Sequence, residues 1–228
     1  MSEAHAAEAA VLQHHFESLN QQKAAASLGM WVFIAQEVMF FGGLFGTYAV
    51  YRHLHYAAFA DASHHLDWKL GAVNTAVLIC SSLTMALGVH AAALGQGRQT
   101  SAWLLATILL GGVFLGVKVV EYKEKFDHHL VPGEGFRYEP HDPAALDVDP
   151  NIAKNSQIYF SLYFGMTGLH ALHMIIGVPI IAFLAWRAWH GAYTPHWHTP
   201  VEMTGLYWHF VDIIWIFLFP LLYLIGHH

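Results

Sequence analysis

The chain has 228 residues, 56% of them hydrophobic and 11% charged, with a mean hydropathy of +0.39. Soluble domains carry roughly 25% charged residues, so this composition disfavours a water-soluble enzyme. A formal charge of -6 excludes a basic nucleic-acid footprint, and the single cysteine, Cys80, leaves no internal disulfide, CxxC pair or thiolate metal cluster.

Residues 1–26 read as a polar N-terminal tail, His-rich and acidic. It has no basic segment leading into a short apolar one, so no cleavable signal peptide is expected. Residues 27–228 read as a transmembrane domain with five apolar runs, at about 28–50, 70–94, 102–120, 158–186 and 203–225. Each reaches the ~18–20 residues that cross ~30 Å of hydrocarbon. A lone strand leaves its backbone groups unsatisfied in lipid and a helix does not. The expected fold is therefore an all-α integral membrane protein, a bundle of five transmembrane helices. The third run should continue as a polar helix to about Lys125. A long acidic loop is expected over about 121–155, with eight Asp or Glu against four Lys or Arg between Glu121 and Lys154. Three Pro and two Gly between Val131 and Pro143 predict extended chain there. Trp31, Tyr48, Tyr51, Trp103, Trp186 and Trp189 crowd the run ends, as interfacial aromatic belts do. Lys23, Arg98 and Arg187 lie on the N-terminal side of the spans. Arg52, Lys69, Lys123, Lys125, Arg137 and Lys154 lie on the other, and the positive-inside rule would place that second group in the cytoplasm.

A charge at mid-membrane costs roughly 2.5–3.5 kcal/mol on insertion scales, so each one needs a reason. Glu37 lies in the first run and Asp212 in the fifth, each about nine residues in. Those two runs cross in the same direction, so the carboxylates share a depth. His209 is one turn from Asp212, and Glu202 is seven residues before His209. The fourth run carries His170 and His173 at i, i+3, with Gly177 continuing that face. The expectation is a buried polar seam of Glu37, His170, His173, His209 and Asp212. Three uses stay open: inter-helix hydrogen bonds that set packing, a proton-related role, and a haem site with His170 or His173 facing His209. Gly42 and Gly46, and Gly112 and Gly116, have the GxxxG spacing of closely approaching helices. Asn74, Thr75, Ser81, Ser82 and Thr84 in the second run read as inter-helix hydrogen bonds. HExxH, Walker, GxSxG and copper-type cysteine patterns are all missing.

Across these segments the chain resembles subunit III of the haem–copper oxidases, closest to the bacterial five-helix form of cytochrome c oxidase subunit III. The resemblance covers nearly all of Leu19 to Ile225. It is carried most strongly by YWHFVDIIWIFLFPLLYL from Tyr207 to Leu224. GLHALHMIIG (Gly168 to Gly177), EVMFFGGLFGTY (Glu37 to Tyr48), LGAVNTAVLICSSLTMA and the FLGVKVVEY stretch ending at Tyr122 follow the family in the same order. The resemblance implies that Glu37 is the family's carbodiimide-reactive membrane carboxylate. It also implies that His170, His173, Glu202, His209 and Asp212 fall on family polar positions, as does Glu121 beside Tyr122. Lys118 departs from the pattern, standing where glutamine is more usual.

The implied function is that of an accessory, non-catalytic subunit of an aerobic terminal oxidase that reduces oxygen to water with proton translocation. Such a subunit stabilises the catalytic subunit, supports proton uptake and binds phospholipid. The implied cofactors, haem and copper, reside in partner subunits, namely the catalytic subunit I and the copper-binding subunit II. The implied place is the bacterial inner membrane, with the N-terminus cytoplasmic and the C-terminus outside. That orientation opposes the basic-residue count, and assembly with partners is expected to set it. The acidic loop then faces outside, where it would add negative potential near an approaching basic cytochrome c. Three alternatives keep the family, the role or the membrane: subunit III of a quinol oxidase, the homologue accompanying nitric oxide reductase, and a stand-alone proton-coupled transporter. A haem b anchor is the last.

Overall fold

The computed structural model describes residues 12–226 apart from 142, 144, 145, 147 and 148. Among these residues the helices are α1 (Leu19–Leu54), α2 (Tyr56–Ser63), α3 (Trp68–Ala93), α4 (Gly97–Asp127), α5 (Ile152–Trp189) and α6 (Thr199–Tyr223), with no strand. Five are long and apolar enough to cross a membrane, so the chain is a multi-pass membrane protein. The helices outrun the apolar stretches that announce them. The apolar run marks the part in hydrocarbon, whereas polar caps decide where the helix begins. Ser18 caps α1 by accepting from Gln21 N, and Asp67 caps α3 by accepting from Lys69 N and Leu70 N. At 1.5 Å per residue α1 and α5 are each more than ~50 Å long, against ~30 Å of hydrocarbon. Their ends therefore project into the interface or the helices tilt. The polar tail expected over 1–26 is already helical from Leu19, and residues 1–11 lie outside the described residues. The loop expected over about 121–155 is shorter, because α4 runs on to Asp127 and α5 starts at Ile152.

Contacts fix the direction of each crossing. Phe33 meets Tyr207, Phe41 meets Phe210 and Phe45 meets Phe217, so α1 and α6 run in parallel. Gly111 approaches Trp208, Phe114 meets Trp215 and Lys118 reaches Tyr223, so α4 is parallel to them. The α3 pairs Ser82–His209 and Thr75–Trp215, and the α5 pairs His173–Tyr207 and Tyr159–Leu222, run the opposite way. The centre of the bundle is α6, which packs against α1, α3 and α5 and meets α4 through Trp208, Trp215 and Tyr223. Its apolar window is 56% buried, against 11% for α1.

Small residues let that centre close. A Cβ on Gly177 would stand 2.9 Å from the Trp208 ring and 3.0 Å from Tyr207, and one on Gly205 would stand 2.8 Å from Val89. The GxxxG pairs behave differently from expectation. Gly42, Gly46, Gly112 and Gly116 have open space where a Cβ would go. Spacing sets which face a glycine lies on, and those faces turn away from this chain's own helices.

On the side where α1 ends, the break at His55 starts α2, which packs Ala58, Phe59 and Ala62 into the core. The predicted extended loop after α4 is strapped onto α2. Tyr138 donates its hydroxyl to Asp61, and His141 N donates to the same carboxylate at 3.0 Å. Burial pushes the nearby His65 imidazole below its usual value, with Asp61 pulling the other way.

Candidate functional site

The polar groups expected to form one seam sit instead in separate places, because α6 stands between them. The first is the pair of Glu37 on α1 and His173 on α5. Glu37 is 8% exposed, and its Oε2 lies 3.4 Å from His173 Nε2. His173 Nδ1 is 2.8 Å from the Leu169 carbonyl, which can only accept, so the proton of a neutral ring belongs on Nδ1. The Nε2–Oε2 contact is then attractive only when one further proton sits on Nε2 or on Glu37. At 3.4 Å, with Oε2 accepting no hydrogen bond, the two atoms face each other as a loose pair. Tyr207 donates its hydroxyl to the His173 carbonyl at 2.8 Å, and Phe41 packs on the His173 ring. These contacts hold α5 against α1 and α6 at that depth.

His170, three residues before His173, faces elsewhere. It is fully buried, neither ring nitrogen has a hydrogen-bond partner, and Phe114 and Trp215 pack around it. His209 lies across α6, with Nδ1 2.7 Å from Ser82 Oγ on α3. The haem expectation needs His170 or His173 to face His209, but His173 Nε2 turns to Glu37, His170 packs against Phe114 and Trp215, and His209 turns to Ser82 on α3. The residues do not fit a bis-histidine haem. Asp212 shares the His209 side of α6, where both line one cavity with Ser82.

Glu202 also leaves the seam. It lies in the first turn of α6, with its Oε1 3.0 Å from His198 Nε2 and its side chain 43% exposed. A carboxylate there complements the helix N-terminus, so its position has a local reason.

Glu121 belongs to a site that the sequence left mostly unseen. Lys118 Nζ donates to Glu121 Oε2 at 3.1 Å, to Tyr163 Oη at 3.2 Å and to Tyr223 Oη at 2.9 Å. Both tyrosines donate in turn to Glu121 Oε1. The three ammonium donors are all matched, and the Trp215 ring lies 5.0 Å from the charge. The ring of bonds joins α4, α5 and α6. A lysine and a glutamate at i, i+3 near the end of an apolar run was the available signal, since such a pair can close on itself. Tyr163 and Tyr223 carried no signal beyond being aromatic.

Comparison with known proteins agrees with this architecture. The family model described as cytochrome c oxidase subunit III matches residues 149–227, which span α5 and α6. A cytochrome c oxidase subunit 3 of Thermostichus vulcanus is 34% identical over 87% of this chain and 86% of its own length. One from Corynebacterium diphtheriae is 34% identical over 87% of each. A cytochrome bo(3) ubiquinol oxidase subunit 3 of Pseudomonas aeruginosa is 29% identical over 97% of this chain and 95% of its own. With five membrane-crossing helices, the paired-histidine helix and the WHFVD helix in the matched region, the chain belongs to the cytochrome c oxidase subunit III family, the accessory third subunit of haem–copper oxidases.

Proposed function

We propose that this chain is the subunit III of a proton-translocating cytochrome c oxidase, and that Glu37 and His173 form its proton-holding element. The observation that carries the second statement is the Nε2–Oε2 contact, which needs a proton to be attractive. With the proton on Nε2 the pair is an ion pair, and with it on Glu37 the pair is neutral. Both forms are net neutral and suit a buried position, so the pair holds one proton, and losing it would leave the Glu37 carboxylate charged beside a neutral ring. In this reading the chain packs beside the haem–copper catalytic subunit, with the copper-binding subunit in the same complex. The haem and copper of the complex belong to those partners and supply the electron-transfer and oxygen chemistry. The chain lies in a bacterial inner membrane, N-terminus cytoplasmic and C-terminus outside. The open groove of about 600 Å³ lined by Tyr48, Ala49, Arg52, His53, Tyr56 and Leu221 supports the expected lipid role. Its apolar wall suits an acyl chain, and the Arg52 guanidinium suits a phosphate.

Relatives named as ubiquinol and quinol oxidase subunits align over 97% and 87% of the chain at 29% identity, which favours quinol as the second choice of electron donor. The test of the proton-holding element is Glu37→Gln in the intact oxidase reconstituted in vesicles. Glutamine keeps the shape and cannot ionise. The complex should assemble with normal haem content, and its proton coupling or its number of turnovers before inactivation should fall. Failure of the variant to assemble would make the pair purely structural, and unchanged coupling and lifetime would remove the proton role.

A further inference from the structure

Asp212 is a polar group that the chain itself leaves unanswered. It is the fourteenth of the 25 residues of α6 and is 3% exposed. Neither carboxylate oxygen makes a hydrogen bond of good geometry, and the one donor of this chain that reaches it is the Ser82 hydroxyl. Ser82 and His209 already answer each other at 2.7 Å. The carboxylate lines a cavity of about 230 Å³ walled by Leu78, Ile79, Ser82, His209, Ile213 and Ile216. That cavity is open to the outside of the bundle, since Ile79, Ile213 and Ile216 are each about half exposed. The most enclosed helix of the bundle thus keeps one bare stripe, and the unanswered carboxylate lies behind it.

A buried acceptor without a donor is costly in water and more so in lipid, so something should answer it when the protein is in place. Phospholipid headgroups are too far away. Asp212 sits near the middle of its helix, whereas headgroups begin ~15 Å from the centre of a ~30 Å hydrocarbon layer. The donor must come from something that itself crosses the membrane. At about 230 Å³ the cavity has room for about eight waters at ~30 Å³ each, enough for the polar end of one long side chain and too little for a second backbone.

We propose that this notch receives a hydrogen-bond-donating side chain carried at mid-membrane depth on a transmembrane helix of a neighbouring oxidase subunit. The bare stripe of α6 and the exposed edge of α3 are then the contact face with that helix. Apolar walls strengthen such a bond by excluding water. This inference rests on the oxidase-subunit reading above.

The test uses the full oxidase complex purified from native membranes. A photo-crosslinking residue replaces Ile213 or Ile216, and Asp212→Ala is made separately. Crosslinks to a protein subunit from both positions are expected. Retention of the chain in the complex under rising detergent should fall at least about tenfold in Asp212→Ala, as for other buried paired charges that lose one member. Adducts with lipid only, or unchanged retention of a folded Asp212→Ala chain, would overturn the proposal. Should that variant fail to fold, the crosslinks on the otherwise native chain decide alone. Recovery of the native chain without any oxidase subunit would instead overturn the subunit reading itself.

Discussion

Lys118 shows how a residue that looks out of place is made at home. An isolated ammonium in hydrocarbon is costly, yet here its three donors meet Glu121, Tyr163 and Tyr223. The Glu121 carboxylate accepts from the same lysine and from both phenols, so neither charge is stranded. The two members are unequal in what they leave behind. Lys118→Met strands a carboxylate with only two phenol donors and should destabilise the chain by about 3 kcal/mol or more. The double replacement Lys118→Gln with Glu121→Gln removes both charges and should recover most of that loss. Thermal unfolding of the detergent-solubilised chain would check this. A double variant no more stable than Lys118→Met would mean that the charges act independently. The sequence showed Lys118 as an oddity and Glu121 as a site residue. It could not show that they were partners of two tyrosines from other helices, because those contacts depend on how α5 and α6 are rotated.

Helix faces explain which expectations survived. Glu37 and His173 came together because α1 and α5 touch at that depth, and depth is readable from position within an apolar run. His170 did not join them, because a helical residue three positions away points about 60° off, enough to cross into another interface, and His209 turns to Ser82 on α3 instead. The glycines tell the same story. Gly177 sits under Trp208 and Tyr207, whereas Gly42, Gly46, Gly112 and Gly116 meet nothing in this chain. Gly177→Ala should therefore cost about 1–3 kcal/mol by overpacking, and Gly112→Ala should leave the fold of the isolated chain unchanged. Unfolding of the two variants side by side would measure the difference. Equal stability would contradict the tight seating of α6. Helix number and order were legible from hydropathy, but rotation about each axis was not, since all five helices are apolar on nearly every side.

At the scale of the whole molecule, the bundle is built around α6 and leaves wide apolar faces uncovered. Val38 and Met39 on α1, Leu109 and Val119 on α4, and Ile175 and Phe183 on α5 are among the large apolar side chains left exposed. In a bilayer those faces meet lipid or other subunits. Family membership follows from the match of α5 and α6 and from relatives that align over most of their length. The stretch of the acidic loop around Tyr138 and His141 is held against α2 through Asp61.

Mild-detergent purification of the chain from native membranes tests the central claim most directly, with partners identified by mass spectrometry and haem read by its spectrum. The account predicts recovery of a haem–copper catalytic subunit with this chain, and the accompanying subunits then identify cytochrome c or quinol as the donor. A stable, homogeneous preparation of the chain alone, without haem and without other subunits, would contradict it.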